Sequence, residues 1–222
     1  MWASVDPFAA KYYSISPYVY VADNPLKFID PDGKKIVDAN GNVIYTQSGG
    51  WAKNASSGAQ RIQSVMIKTT TGREQWNKMV NSDNKINLNI SNENTAKGGK
   101  VTLGFTEIPN SRNPETGKAE FRSDIVVKVT LFDKTITDNT LSKGQVNSGL
   151  TADQALAATA GHEAEHATSS QNIQERLENK DLPADQKHDV EAEPIKIGNQ
   201  IREESRNELK PLESKKAEVT PN

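Results

Sequence analysis

Hydrophobic residues after residue 34 recur with two different periods. In Lys85–Ile90 and Ile125–Phe132 they alternate with polar residues, as in a β-strand that buries one face, and Val101–Phe105 is a third strand candidate. In Ala59–Ile67 and Arg73–Val80 they recur every three or four residues, which predicts helices. The chain therefore mixes strands with helices.

Turns and loops connect these elements. Lys35–Thr46 predicts a β-hairpin, because two apolar arms flank Asn40-Gly41, a pair that tolerates the positive φ angles of a tight turn. Ser48–Gly58 and Pro109–Lys118 are polar and rich in glycine, proline or asparagine. We expect loops at both places, because these residues favour turns over regular structure.

Two longer helices are predicted in the last third of the chain. Thr151–Ser170 is rich in alanine and begins with Thr151 and Gln154 at the spacing of a capping box. Asp189–Leu209 is the second helix. Pro194 must lie within its first turns, because proline is tolerated only there.

The predicted fold class is α+β. A small mixed or antiparallel sheet packs against the two helices in a domain that covers residues 35–210. Residues 211–222 are charged, and we expect a flexible tail there. A chain of 222 residues is long enough to bury a core without disulfide bonds.

Composition excludes several classes of protein. Lys and Arg number 27 against 29 Asp and Glu, so the chain lacks the basic character of a nucleic-acid binder. Mean hydropathy is -0.71, and no apolar run approaches the roughly 20 residues of a membrane-spanning helix. The first residues lack the apolar segment of a signal peptide. We expect no nucleic-acid partner and no membrane segment, and the cellular location stays open.

The absence of cysteine narrows the possible chemistry. It excludes disulfides, thiol nucleophiles and cysteine-based metal sites, so any metal must be held by His, Asp and Glu. Residues 1–150 carry a net charge of +4 and residues 151–222 a net charge of -6. All three histidines, His162, His166 and His188, lie in the acidic part. Residue types that bind metals are therefore concentrated in one third of the chain.

The first of the long helices contains an HExxH motif. His162 and His166 are four residues apart, so they lie on one helical face and both imidazoles can reach one tetrahedral Zn²⁺. Glu163 is not a ligand but can act as the general base on a metal-bound water. Glu165 is expected to point away from the metal into solvent. The alternative interpretation is two surface histidines on an acidic helix.

A hydrolytic zinc site needs a third protein ligand, because the fourth position holds water. The downstream candidates are His188, Asp189, Glu191 and Glu193. Pro194 places Glu191 at or just before the start of the second helix, where regular helical geometry does not fix its direction. Spacing alone therefore leaves the choice open.

The motif and the downstream glutamate together resemble the gluzincin arrangement of zinc metallopeptidases. In small peptidase-like effector domains of this kind the third glutamate precedes a Gly-Asn-x-hydrophobic-Arg stretch, and here Glu191 precedes residues 198–202, Gly-Asn-Gln-Ile-Arg. The resemblance implies Zn²⁺ bound by His162, His166 and Glu191, with Glu193 and then His188 as the alternative third ligands. It also implies a zincin-like fold with an active-site helix and a glutamate helix.

The first 34 residues carry a second resemblance. They hold seven of the thirteen aromatic residues among four prolines and end near Ile29-Asp30-Pro31-Asp32-Gly33. This stretch resembles the C-terminal end of an Rhs/YD-repeat-associated core. In that family the segment closes a β-cocoon, and a toxin or effector domain follows it. The resemblance implies the remainder of an Rhs shell and a cognate immunity protein as partners.

These observations predict a zinc metalloendopeptidase that hydrolyses a peptide or protein substrate. Glu163 takes the proton of the attacking water, and one strand edge aligns the extended substrate. Ile125–Phe132 is the predicted edge strand. A non-catalytic binding or assembly module with a degenerate HExxH helix is the alternative.

Overall fold

The computed structural model describes residues 35–95 and 101–217, and side chains as far as residue 207. The described residues belong to one unit, Lys34–Asn222. The predictions for residues 1–34, including the resemblance to an Rhs core, lie outside the described residues. Among the described residues no helix combines the length and the apolar character needed to cross a membrane.

The described residues form eight strands, six α-helices and one short 3₁₀ turn. The strands are β1 (Lys35–Val37), β2 (Val43–Thr46), β3 (Gly50–Trp51), β4 (Ile86–Ser91), β5 (Gly104–Glu107), β6 (Asn110–Arg112), β7 (Ala119–Phe121) and β8 (Val127–Phe132). The helices are α1 (Ser57–Met66), α2 (Thr70–Val80), α3 (Asp133–Leu141), α4 (Ala152–Thr168), α5 (Ser170–Glu178) and α6 (Ala192–Ala217), and the 3₁₀ turn is Ala184–Gln186.

Six strands form one mixed sheet in the order β3-β2-β1-β4-β8-β5, and β6 and β7 form a separate hairpin. Strand β4 pairs in parallel with both β1 and β8, whereas β5 pairs antiparallel with β8. The predicted α+β class is confirmed, and the mixed form of the sheet is the correct one of the two alternatives. The predicted hairpin at the start of the domain is also confirmed, because β1 and β2 are antiparallel neighbours.

One face of the sheet packs against the helices. In β8, Val127, Val129 and Leu131 are at most 1% exposed, and the intervening Lys128 is exposed. This alternation is the one that the sequence predicts for a strand with one buried face. It places the apolar side of the sheet directly against α4, which contacts both β8 and β5.

Helix α4 runs through the centre of the core. It begins at the predicted capping box, in which Thr151 and Gln154 each satisfy the other's main-chain N–H. Its residues from Ala155 to Ala167 are buried except for His162, which is half-buried. Between residues 155 and 167, seven residues of α4 are alanine or glycine. These small side chains allow other elements to pack against the helix on all sides.

Helices α4 and α6 pack closely at Gly161. A Cβ atom on Gly161 would lie 2.2 Å from Ile201 Cδ1, and Ile201 itself is fully buried. The small residues that precede His162 therefore permit close packing, as the sequence predicts. This contact fixes the helix that carries the histidines against the helix that follows Glu191.

Several boundaries differ from the sequence prediction. Strand β5 begins at Gly104, three residues after the predicted start, and the two predicted loops contain the short strands β3 and β6. Helices α3 and α5 were not predicted. Strand β6 is polar throughout and α3 is rich in Thr, Asp and Asn, so neither carries the apolar period on which the prediction depends.

The second long helix is also shifted. Helix α6 begins at Ala192, so Pro194 lies in its first turn as predicted, and it continues to Ala217. The predicted charged tail, residues 211–222, therefore begins within this helix. In its first turns Ile195 is 48% exposed, whereas Ile197 and Ile201 are buried.

The contact at Gly161 yields a stability prediction. Gly161→Ala should destabilise the fold by about 1–3 kcal/mol, because the added methyl group overpacks the helix contact. Ile201→Val removes the Cδ1 atom that the new methyl group would meet. Gly161→Ala should therefore lower the free energy of unfolding less in the Ile201→Val background than in the wild type. Denaturant unfolding of both single variants and the double variant measures this coupling. Equal costs in both backgrounds would contradict the proposed steric contact.

Candidate metal centre

The two histidines of the HExxH motif lie on one face of α4. Their Nε2 atoms are 3.2 Å apart, and their ring centroids are 4.9 Å apart. The His166 side chain is 4% exposed and that of His162 is 21% exposed. The i, i+4 spacing therefore brings both rings together at the boundary between core and solvent.

Glu191 joins them from the residue just before α6. Its main-chain carbonyl accepts the first hydrogen bond of the helix, from Ile195 N–H at 2.9 Å, so it lies at the N-cap as predicted. Its Oε2 atom is 3.2 Å from His162 Nε2 and 3.3 Å from His166 Nε2. These three residues form a group whose ligand atoms all lie within 4.8 Å of one another.

The geometry of this group fits a tetrahedral metal ion. Zinc bonds of about 2.0–2.1 Å in tetrahedral geometry place neighbouring ligand atoms about 3.3 Å apart. The three observed separations are 3.2, 3.2 and 3.3 Å. Two imidazoles and one carboxylate are also a donor set that zinc uses in catalytic sites. The residues present therefore fit a zinc ion with one open coordination position.

The other candidate ligands have different partners. Glu193 forms an ion pair with Lys196 at 3.0 Å, and His188 Nε2 lies 3.0 Å from Glu178 Oε2. Asp189 accepts a hydrogen bond from the main-chain N–H of Glu191. Within the described residues none of them belongs to the metal group, whose members are His162, His166 and Glu191.

Electrostatics favour the charged form of Glu191. The adjacent imidazoles of His162 and His166 hold the pKa of the Glu191 carboxyl well below its usual range, and burial opposes them. The carboxylate is thus ionised at neutral pH, which is the form that binds a metal ion.

Glu163 follows His162 directly on α4, but its carboxylate contacts strand β5 instead of the three ligand residues. It is 5% exposed, and its Oε2 atom accepts a hydrogen bond from Thr106 Oγ1 at 2.7 Å. Its Oε1 atom lies against β5, because a Cβ atom on Gly104 would be 2.8 Å from it. The hydrogen bond from Thr106 therefore holds Oε2 of Glu163 in place, and Oε1 faces Gly104 on the edge strand.

The edge strand is β5, not Ile125–Phe132 as the sequence predicted. Strand β8 lies between β4 and β5, and both of its sides are paired. An alternating apolar pattern reports a buried face and carries no information on whether a strand has one neighbour or two. Among the described strands, the one that lies against Glu163 and ends the sheet is thus the shorter and more polar β5.

Register shows which main-chain groups of β5 point outwards. Phe132 N–H donates to Leu103 O at 2.9 Å, and Gly104 lies opposite Leu131. Because antiparallel pairs alternate, the N–H and C=O groups of Gly104 and Thr106 point away from β8. Arg176 Nη2 donates to Thr106 O at 3.0 Å, so this carbonyl already has a partner. The main-chain N–H and C=O groups of Gly104 face the outer edge of the sheet.

Arg176 was not predicted as part of the site. Burial lowers the pKa of its guanidinium, and the negative charges of Glu163 and Glu191 oppose this effect. Its Nη1 atom is buried without a hydrogen-bond partner among the described residues. Arg176 thus places a positive charge close to both carboxylates, and no sequence motif marks it.

The expectation for Glu165 was wrong, and Arg202 is a second buried charged residue. Glu165, expected to point into solvent, is 8% exposed, and its carboxylate binds Lys78 Nζ and Gln75 Nε2 of helix α2. Arg202 is buried and donates to the side-chain oxygens of Asn147 and Asn199. Both are internal side chains because α4 and α6 are covered by neighbouring elements that the helical pattern does not reveal.

A large open cleft, of about 1250 Å³, lies between the β6–β7 hairpin, α5 and the turn before β4. Its lining includes His188 but none of His162, Glu163, His166 or Glu191. The cleft is therefore separate from the metal centre.

Comparison with known proteins found no family model, curated protein or solved structure that matches this chain.

The geometry predicts which substitutions abolish metal binding. His162→Ala, His166→Ala and Glu191→Ala should each weaken zinc binding by more than about 100-fold, because loss of an outer contact alone costs about 10–100-fold. Glu193→Ala and His188→Ala are the matched controls and should leave the affinity unchanged. Chelator competition measures each affinity, and elemental analysis of the wild type should find about one zinc per chain. Loss of zinc only in Glu193→Ala or His188→Ala would overturn the assignment of Glu191.

Proposed function

We propose that this chain is a zinc-dependent endopeptidase with a zincin-like domain. The observation that carries the proposal is the convergence of His162, His166 and Glu191 at the spacing of a tetrahedral metal site, next to a buried glutamate that is not a ligand. Zinc bound there would supply a Lewis acid for the scissile carbonyl and lower the pKa of a bound water.

Glu163 is the general base in this proposal. Thr106 fixes its Oε2 atom, so Oε1 is the atom that takes the proton of the attacking water and returns it to the leaving amine. Burial of the side chain keeps the carboxylate in one position against Gly104. Arg176 balances part of the negative charge of Glu163 and Glu191.

The edge of β5 that pairs with no described strand is the proposed binding site for an extended peptide. The outward N–H and C=O of Gly104 can form one pair of main-chain hydrogen bonds with a substrate strand. Arg176 occupies the next carbonyl, that of Thr106, so pairing ends there. Gly104 lies directly against Glu163, which brings the paired residue of the substrate beside the base.

We also propose, from the sequence resemblance of residues 1–34, that the peptidase domain is the toxin or effector end of an Rhs-type protein. A peptide or protein of the target cell would be the substrate, and an immunity protein would be the partner that blocks the site.

The role of Glu163 can be tested by Glu163→Gln. The variant should keep its zinc affinity, because Glu163 is not a ligand, and lose about 10²–10⁴-fold in hydrolysis, because an amide cannot accept the proton. Wild type and variant are compared on a mixed library of quenched fluorescent peptides, with bound zinc measured in the same samples.

Hydrolysis by Glu163→Gln at the wild-type rate would contradict the role of Glu163. A zinc-loaded wild type that cleaves neither the library nor an unfolded protein would favour the alternative, a non-catalytic binding or assembly module.

Gly104→Ala tests the contact between the edge strand and the base. The added Cβ would lie 2.8 Å from both Cγ and Oε1 of Glu163, so the carboxylate must move. We expect about 10²-fold slower hydrolysis, since a misplacement of about 1 Å can cost that much, with zinc affinity unchanged. Glu107→Ala, an exposed position on the same strand, is the control. Full activity of Gly104→Ala would overturn the placement of Glu163 against β5.

A further inference from the structure

We infer that Asn172 is a positioning residue that orients two of the three metal ligands at once. The inference rests on the proposed zinc centre. Asn172 lies in the first turn of α5, six residues after His166, and its side chain is buried between His166 and the residue before Glu191.

The first of its two hydrogen bonds fixes the orientation of the amide. Asn172 Nδ2 lies 2.6 Å from the main-chain carbonyl of Val190. A carbonyl oxygen only accepts hydrogen bonds, so the NH₂ group must face Val190 and the amide oxygen must face the other way.

The second hydrogen bond then fixes the tautomer of His166. Asn172 Oδ1 lies 2.8 Å from His166 Nδ1, and because the amide oxygen only accepts, the ring nitrogen must donate. Neutral His166 therefore carries its proton on Nδ1 and a lone pair on Nε2. Nε2 is the atom that faces His162 and Glu191, so this tautomer is the one that can bind a metal ion.

The hydrogen bond from Asn172 to the carbonyl of Val190 positions the main chain next to Glu191, the third proposed ligand. Val190 directly precedes Glu191, whose side chain is half exposed. By binding the carbonyl of Val190, Asn172 anchors the end of the polar connection that returns the chain from α5 to the metal centre. One amide thus sets both the ring of His166 and the approach of Glu191.

Asn172 is itself held by the junction of two helices. Ser169 ends α4 and is also the N-cap of α5, where its Oγ accepts a hydrogen bond from Asn172 N–H at 3.3 Å. The change of helix direction at Ser169 carries Asn172 back towards His166. Asparagine is the residue type that fits, because aspartate would place an oxygen against the Val190 carbonyl and leucine would bind neither group.

The tautomer can be measured directly. Nitrogen-15 NMR of the zinc-free full chain, at a pH where the imidazoles are neutral, distinguishes Nδ1–H from Nε2–H, and His166→Ala identifies the signal among three histidines. We expect Nδ1–H for His166 in the wild type and in Asn172→Asp, which still accepts the bond, and loss of this fixed tautomer in Asn172→Leu. The Nε2–H form in the wild type would overturn the inference, whether or not any variant folds.

Zinc affinity tests the consequence for the site. By chelator competition, Asn172→Leu should bind zinc about 10–100-fold more weakly than the wild type. The control is Gln171→Leu, because Gln171 is an exposed neighbour whose side chain donates a hydrogen bond to Glu175 on the same helix, and this variant should bind zinc as the wild type does. Affinity of Asn172→Leu within twofold of the wild type would contradict the inference.

A double-variant comparison separates the two ligands. If Asn172 also positions Glu191, Asn172→Leu should cost less in the Glu191→Ala background than in the wild type. Equal losses would overturn the part of the inference that concerns Glu191. A wild type that binds no zinc would contradict the proposed function instead, and the tautomer of His166 would still decide the role of Asn172.

Discussion

Three side-chain atoms that can each offer an electron pair to a metal ion converge in this protein. The Nε2 atoms of His162 and His166 and the Oε2 atom of Glu191 lie 3.2–3.3 Å apart, in a region where His166 is almost fully buried. Because Asn172 assigns the proton of His166 to Nδ1, its Nε2 faces the carboxylate with a lone pair. Two such acceptors repel each other unless a proton or a metal cation lies between them. The rest of the site depends on how the fold holds these atoms together.

The fold supplies that restraint through one buried helix. Helix α4 is capped at its start, surrounded by other elements along its length, and packed against α6 at Gly161. The two histidines lie on this buried helix, which holds their main chain in place. Glu191 instead lies at the end of the polar connection between α5 and α6. The proposed base, Glu163, is held from the side of the sheet by Thr106. Helix α4 therefore carries two of the proposed ligands and places the proposed base against the edge strand β5.

The parts of the site that the sequence predicts are those set by local spacing. The i, i+4 histidines, the capping box and the position of Glu191 before Pro194 follow from helical geometry, and the structure has all three. The parts that it does not predict depend on tertiary contacts. Glu165 is internal only because α2 covers it, and β5 is the edge only because the chain order of the sheet places β8 inside. Asn172 carries no motif, because its role arises from the bend at Ser169 and a carbonyl 18 residues away.

The most direct test of the central claim is X-ray absorption spectroscopy at the zinc edge of the zinc-loaded full chain. The proposed centre predicts four nitrogen or oxygen neighbours at about 2.0–2.1 Å, with the outer scattering of two imidazole rings. In the spectrum of His166→Ala, the outer scattering should correspond to one imidazole ring instead of two. A spectrum with six oxygen neighbours, or one without imidazole scattering, would contradict a zinc site formed by His162, His166 and Glu191.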